Sequence, residues 1–123
     1  MGKFVVSAAK NGGYHFVLKA GNGEVIASSE TYSSLDACKN GVESVRKNCG
    51  SHIEDQTSKK AVPLANPKFE IYLDKKGEFR FRLKAVNGEV IATSEGYTAK
   101  SSCKNGVDSV RKNAPDSEMF VAE

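Results

Sequence analysis

Hydrophobic and polar residues alternate along two stretches in each half of the chain. In the second half, segment 68–74 has the sequence KFEIYLD and segment 79–85 has the sequence FRFRLKA, so apolar side chains share one face of each. This period of two is typical of half-buried strands. Gly77 lies in a turn between the stretches, and Asn87-Gly88, a strong hairpin signal, precedes a third short strand over 89–93. The pattern predicts a three-stranded antiparallel meander.

A helical period follows each meander. Apolar residues recur at a spacing that forms one stripe on a helix. The stripes consist of Leu35, Cys38, Val42 and Val45 in the first half, and of Ala99, Cys103, Val107 and Val110 in the second. On the opposite faces, Lys39–Glu43–Lys47 and Lys104–Asp108–Lys112 predict ion pairs between residues four apart.

Residues that favour helix ends flank both stripes. We expect Ser33 or Ser34 and Thr98 to cap the starts of the helices, and Asn48 and Asn113 to cap their ends. Segments 52–56 and 118–122 then predict a fourth strand in each half. The pattern is clearer in the second of these, which contains Met119-Phe120-Val121.

The chain is a tandem repeat. A shift of 65 positions places 3–49 over 68–114 without a gap, and 27 of the 47 residue pairs are identical. The most similar stretches are NGEVIA at 22–27 and 87–92, and CKNGV at 38–42 and 103–107. Each half is therefore a β-β-β-α-β unit.

One domain made of two repeats follows from the length. We assign residues 2–56 to the first repeat, 57–67 to a polar linker and 68–123 to the second repeat, all within a single domain over 1–123. A unit of this size buries too little surface to be stable alone, and its sheet would have an unpaired edge. We expect an α+β fold with one antiparallel sheet, both helices on one face and pseudo-twofold symmetry. We also expect a monomer that contains this internal pseudo-dimer.

Composition and charge exclude several classes of protein. The net charge of +3 is divided almost evenly between the halves, so neither half is a basic arm for nucleic acid. No apolar run is long enough to span a membrane. The first residues lack the apolar stretch of a signal peptide, and three cysteines do not form a disulfide framework. We expect a cytoplasmic protein with reduced thiols.

The chain resembles the YegP-like family, small bacterial proteins of unknown function. The resemblance covers both repeats and is carried by KFEIY at 68–72, FRFRLKA at 79–85, NGEVIA at 87–92, SEGY at 94–97 and CKNGV at 103–107. It implies that two units form one sheet and exchange their final strands, and that members with a single unit dimerise. It implies no catalytic motif.

The first repeat departs from this family pattern in its first two strands. The departures are Val5, Ser7, Ala8, Ala9, Gly13, His15 and Val17. They make the outer face of these strands less polar. We therefore expect any function that needs a polar face to lie in the second repeat.

Reactive side chains predict no catalytic, cofactor or metal site. Cys38 and Cys103 lie on the apolar stripes and are expected to be structural. The spacing of the cysteines and of His15 and His52 does not fit a zinc site. Gly106, like its counterpart in the first helix, interrupts a helix, which predicts a close approach to the sheet or a notch for a ligand.

The candidate partner surface is on the second repeat. Arg80, Arg82 and Lys84 form an outward row, and Tyr72 points outward from the neighbouring strand. Basic side chains beside an aromatic ring can hold single-stranded nucleic acid. However, carboxylates on the same face can pair with these cations, and a solvated charged face is the simpler interpretation.

Three functional hypotheses follow. The first is a non-enzymatic binding module whose partner is an unidentified protein or small molecule. The second is weak binding of single-stranded nucleic acid through Tyr72, Arg80, Arg82 and Lys84. The third is an enzyme with a site that the sequence does not identify, which requires a closed pocket with converging polar groups.

Overall fold

The computed structural model describes residues 2–60 and 62–122, which form eight strands and two helices. In the first repeat these are β1 (Lys3–Ala8), β2 (Tyr14–Lys19), β3 (Val25–Ser28), α1 (Leu35–Asn48) and β4 (Ile53–Asp55). In the second repeat they are β5 (Lys68–Leu73), β6 (Phe79–Lys84), β7 (Val90–Thr93), α2 (Lys100–Asn113) and β8 (Glu118–Val121). The order in each repeat is the predicted β-β-β-α-β.

The hairpin turns are built around glycine. Gly23 and Gly88 have φ angles of 87° and 85°, in the region that favours glycine. The side chains of Asn22 and Asn87 each accept a hydrogen bond from the backbone two residues on, at 3.0 Å. The Asn-Gly pairs therefore set the β2–β3 and β6–β7 turns, as predicted.

All eight strands form one sheet with the order β4-β5-β6-β7-β3-β2-β1-β8. The two repeats meet where β3 and β7 pair through Ser28 and Thr93. Each final strand pairs with the first strand of the other repeat: β4 with β5, and β8 with β1. The α+β fold and the strand exchange implied by the resemblance are thus confirmed.

The two outer strand pairs are parallel, so the sheet is mixed rather than wholly antiparallel. Only a hairpin forces neighbouring strands to be antiparallel, and a parallel pair needs a connection of about a dozen residues or more. The chain between β4 and β5, from Gln56 to Pro67, has this length. The sequence pattern predicts the strands but not whether each outer pair is parallel or antiparallel.

Both helices cover one face of the sheet and close a single core. The largest buried side chains are Phe4, Phe16, Phe69 and Phe81, two from each repeat. Helix α1 contacts β1 and β2 of its own repeat and also β6 and β7 of the other. The hydrophobic core is therefore shared between the repeats.

Two equivalent arginines attach each helix to the strand exchanged from the other repeat. Arg46 in α1 donates to the carbonyl of Ser117, just before β8, at 2.6 Å. Arg111 in α2 donates to the carbonyl of Ser51, just before β4, at 2.7 Å. Their guanidinium groups also lie 5.4 and 5.5 Å from the ring centroids of Phe4 and Phe69, respectively.

Several local predictions about the helices differ from the structure. Ser34 caps α1 by accepting from Ala37 N at 3.1 Å, but the cap position of α2 is Ala99, not Thr98, and it forms no side-chain cap. The asparagines predicted to cap the helix ends, Asn48 and Asn113, are still part of α1 and α2. The side-chain amide of each donates a hydrogen bond to a backbone carbonyl four residues earlier in the same helix.

The predicted pairs between residues four apart are also replaced. Glu43 pairs with Arg46, and Asp108 pairs with Arg111, both at a spacing of three. The carboxylates pair with the arginines rather than with the lysines because each arginine is already held in place by the aromatic ring of Phe4 or Phe69 in the core.

Gly106 is buried on the face of α2 that packs against Tyr97 and Phe81. A Cβ at Gly106 would lie 2.6 Å from the Tyr97 hydroxyl and 2.9 Å from a ring carbon of buried Phe81. Gly41 has the equivalent neighbours, Tyr32 and Phe16. The glycines allow an aromatic ring to pack beneath each helix, which supports the packing interpretation over a ligand notch.

We predict that Gly106→Ala destabilises the protein by about 1–2 kcal/mol, because overpacking the core outweighs the gain in helix propensity. Urea unfolding followed by circular dichroism measures the change. Asn105→Ala, at an exposed position of the same helix, is the matched control and should be neutral or slightly stabilising. A Gly106→Ala variant as stable as the parent would contradict the packing role.

Candidate functional site

The strand register places one continuous row of side chains across the outer face, the face of the sheet opposite the helices. We call this the outer row. It consists of Phe120, Val5, Val17, Ser28, Thr93, Arg82, Glu70 and Glu54, one from each strand. The pseudo-twofold axis passes between Ser28 and Thr93. One half, Phe120, Val5 and Val17, is apolar, and the opposite half, Arg82, Glu70 and Glu54, is ionic.

The four residues of the predicted partner surface lie together on and beside the ionic half. The guanidinium of Arg82 lies 4.3 Å from the ring centroid of Tyr72 and donates to Glu70 at 2.6 Å. Arg80 donates to Asp74 at 2.7 Å, and Lys84 lies 3.3 Å from Glu70. Each of the three cations thus has a carboxylate partner, which reduces the charge available to a polyanion.

Burial of the ionic half depends on the chain that connects the repeats. Gln56 donates to both Glu54, at 2.7 Å, and Glu70, at 2.9 Å. The backbone N–H of Leu64, in the linker, donates to Glu54 at 2.7 Å, and Lys68 pairs with Glu54 at 2.7 Å. Glu70 is 2% exposed and Glu54 is 7% exposed. The connection therefore folds back across the outer face and covers a network of charged groups.

Hydrogen bonds keep these carboxylates ionised. Donation from Lys68, Gln56 and Leu64 lowers the pKa of Glu54 to about 2, despite an opposing effect of burial. Burial raises the pKa of Glu70, but bonds from Arg82 and Lys68 outweigh it and the net pKa is lowered. The bond from Arg80 lowers the pKa of Asp74. The network is a set of fixed charges, not a set of groups poised to transfer protons near neutral pH.

The apolar half has the opposite character, because its side chains remain in contact with solvent. Phe120 is 49% exposed, and Val5 and Val17 are half-buried. The ammonium of Lys3 lies 5.8 Å from the ring centroid of Phe120. Charged side chains are therefore buried on one half of the outer face while apolar ones are exposed on the other, the reverse of the usual preference.

The two edges of the sheet also differ. Strand β4 has three residues, and its Asp55 pairs with Lys100 of α2 at 2.9 Å. Strand β8 contains Met119, Phe120 and Val121, and Val121 is 41% exposed. Shortness and charge protect an edge strand against pairing with another chain. Both edge strands are short, but β4 carries Glu54 and Asp55, whereas β8, with four residues, carries a single charge, Glu118, at its start.

This apolar surface was not predicted from the sequence. The departures from the family pattern at Val5 and Val17 indicate only a loss of polarity. The sequence pattern does not show that β8 pairs with the first strand of the other repeat, which places Phe120 beside Val5. The clear apolar pattern of 119–121 was the available signal.

The reactive side chains occupy positions with little catalytic potential. Cys38, Cys49 and Cys103 are all buried, and burial raises the pKa of each thiol, that of Cys103 to about 11. His15 lies 3.3 Å from the hydroxyl of Ser7 on the neighbouring strand. Within 2–60 and 62–122, no three His, Cys, Asp or Glu residues come together as metal ligands.

The recesses of the surface lie at the turns and at the junction of the repeats. One of about 390 Å³ is lined by Asn11, Gly12, Gly13, Thr31, Tyr32 and Ser33. A smaller one of about 180 Å³ lies beside β3 and β7, next to Arg80.

Among the described helices, neither is long and apolar enough to cross a bilayer.

We predict that Glu54→Gln reduces the dependence of stability on acid pH. The folded-state pKa of Glu54, about 2, is below its ordinary value of 4.5. Ionised Glu54 therefore contributes stability above pH 4.5, and this contribution is lost as the pH falls from 4.5 towards 2. Urea unfolding between pH 2 and pH 7 should show a shallower decline for the variant. Glu24→Gln, in an exposed turn, is the control, and its stability should fall with pH as that of the parent does. If the stability of Glu54→Gln also fell as steeply as that of the parent, ionised Glu54 would not stabilise the fold.

Comparison with known proteins identifies the family. The family model described as "Domain of unknown function (DUF1508)" matches residues 9–55 and again 74–120, one match in each repeat. The UPF0339 protein YegP of Yersinia pestis is 42% identical over 113 residues, which cover 92% of this chain and 88% of that protein. A UPF0339 protein of Methanosarcina acetivorans is 50% identical over 56 residues, which cover 97% of its length but 46% of this chain. The family therefore includes proteins with the length of one repeat.

Solved structures show the same fold. The solution structure of the UPF0339 protein SO3888 from Shewanella oneidensis has a TM-score of 0.80 at 32% identity, covering 98% of this chain and 90% of that one. The solution structure of yegP from E. coli has a TM-score of 0.79 at 32% identity, covering 98% and 91%. Two matches to one family model, together with relatives aligned over nearly the whole chain, show that this chain belongs to the uncharacterised UPF0339 (DUF1508) family of YegP-like proteins.

Proposed function

We propose that this protein is a non-enzymatic interaction module that binds an extended polypeptide segment at the β8 edge, against the apolar half of the outer row. The observation that carries the proposal is the exposed apolar row of Phe120, Val5 and Val17 beside an edge strand with little protection. A new strand can form backbone hydrogen bonds with such an edge and place alternate side chains on such a face.

The connection between the repeats supports a polypeptide segment as the partner. It lies across the ionic half, and the backbone N–H of Leu64 bonds to Glu54 there. The outer face therefore already accommodates a segment of irregular chain on its ionic half. On the apolar half, the matching contacts would be hydrophobic, and Lys3 and Lys19 beside them would favour a segment with acidic residues at its margin.

The nucleic-acid hypothesis predicts a different result. It requires Arg80, Arg82 and Lys84 to contact phosphates, but all three form ion pairs within the protein. We expect no salt-sensitive binding of a single-stranded oligonucleotide. Salt-sensitive binding that is lost in an Arg80→Ala/Arg82→Ala variant would favour nucleic acid instead.

A displayed library of random peptides tests the proposed function. We expect selected peptides to carry apolar residues at alternate positions and to lose at least tenfold in affinity for Val5→Lys, because the new charge lies within the apolar row. Tyr72→Ala changes the ionic half and is the matched control, with affinity unchanged. On peptide binding, the amides of Met119 and Val121 should become protected from hydrogen exchange.

Two results would overturn this function. One is a library that yields no binder above the background of an unrelated protein. The other is a set of binders that are indifferent to Val5→Lys and leave the β8 amides unprotected.

A further inference from the structure

We propose that the segment bound at the β8 edge is the β8 strand of a second copy of this chain, in an antiparallel pair with Phe120 on the twofold axis. This inference rests on the proposed function and names its partner.

The unpaired backbone groups of β8 belong to Met119 and Val121. Phe120 is in register with Val5, and the N–H of Ala122 donates to the carbonyl of Val6 at 2.7 Å. Backbone groups of successive residues point to opposite sides of a strand. Phe120 and Ala122 therefore use their groups towards β1, whereas those of Met119 and Val121 point to the open edge.

A register with Phe120 on the twofold axis uses these groups and keeps every side chain on its own face of the sheet. In it, Phe120 lies opposite the partner's Phe120, and Met119 lies opposite the partner's Val121. Met119 and Val121 are the residues with outward N–H and C=O groups, so each of the two symmetric pairs exchanges two hydrogen bonds. The pairing forms four backbone hydrogen bonds and makes the two Phe120 residues a closely spaced pair without hydrogen bonds.

Side-chain complementarity also favours this register. The two apolar halves join into one row of six side chains, in which Phe120, Val5 and Val17 of each copy continue those of the other. Glu118 lies opposite the partner's Ala122 and beside Lys3 of its own chain, so no like charges face each other. Aromatic pairs directly across strands stabilise a sheet.

The same operation at the other edge is unfavourable. There Glu54 is the equivalent of Phe120 on the outer row, and a twofold pairing of β4 would place it opposite the partner's Glu54. Like charges directly opposite each other destabilise a pair of strands. Twofold self-pairing is therefore favoured at β8 over β4, and it closes at a dimer because it uses the β8 edge of both copies.

The sequence predicts a monomer because the two repeats complete each other's sheet. That pairing leaves the outer edge of β8 free, and the proposed dimer forms there. Sedimentation velocity across a concentration series from micromolar to millimolar should show a dimer that increases with concentration. Phe120→Lys should stay monomeric, because it places two ammonium groups on the twofold axis. Val86→Lys, which replaces a residue 68% exposed in the β6–β7 turn, should dimerise like the parent.

Cysteine cross-linking tests the register. The native cysteines are buried, so Phe120→Cys introduces an accessible thiol. Its Cα should lie about 4.5 Å from that of its symmetry mate, within disulfide range. The Cα atoms of Glu118→Cys, on the same strand and face, would be about 14 Å apart. We expect Phe120→Cys to form covalent dimers at least tenfold faster under mild oxidation.

Equal cross-linking rates for the two variants, or a parent chain that is monomeric at every concentration, would overturn the dimer. If that monomer still binds the selected peptides, the dimer fails while the proposed function stands. If it binds none of them, both fail.

Discussion

Backbone pairing between the two repeats is the interaction on which the rest of the structure depends. Each repeat supplies the outermost strand for the other, β4 to β5 and β8 to β1. Arg46 and Arg111 anchor the chain just before each exchanged strand to the helix of the other repeat. Without this exchange, the first strand of each repeat would be an open edge, and the buried phenylalanines would lose part of their cover. The two repeats therefore share one core, and we expect them to fold as one unit.

The exchange also determines the character of the outer face. It brings Phe120 beside Val5 on one side of the molecule, and Glu54 beside Glu70 on the other. The chain that connects the repeats begins directly after β4, so it covers the ionic half and leaves the equivalent apolar half exposed. A nearly twofold backbone thus presents two chemically different surfaces. This asymmetry is the basis of the proposed interaction surface, which combines β1 and β2 of the first repeat with β8 of the second rather than the ionic side chains predicted from the sequence.

Most of the fold could be predicted from the sequence because its signals are local. Alternation predicted the strands, Asn-Gly predicted the hairpins, and the repeat itself predicted the pseudo-twofold arrangement. The direction of β4 and β8 could not be predicted, because no hairpin connects them to their neighbours in the sheet. The candidate site was harder to predict because it depends on which distant segments lie side by side. Arg80, Arg82 and Lys84 follow from alternation, but their pairing with Asp74 and Glu70, and the position of Phe120, depend on contacts between distant segments.

The oligomeric state and stability of the second repeat alone, residues 62–123, test the interdependence of the repeats directly. Strand exchange predicts either an unfolded chain or a dimer in which each copy places its β8 on the first strand of the other, with stability that rises with protein concentration. Sedimentation velocity combined with urea unfolding at several concentrations distinguishes these states. A monomeric second repeat that unfolds cooperatively at a midpoint independent of concentration would contradict the interdependence of the two repeats.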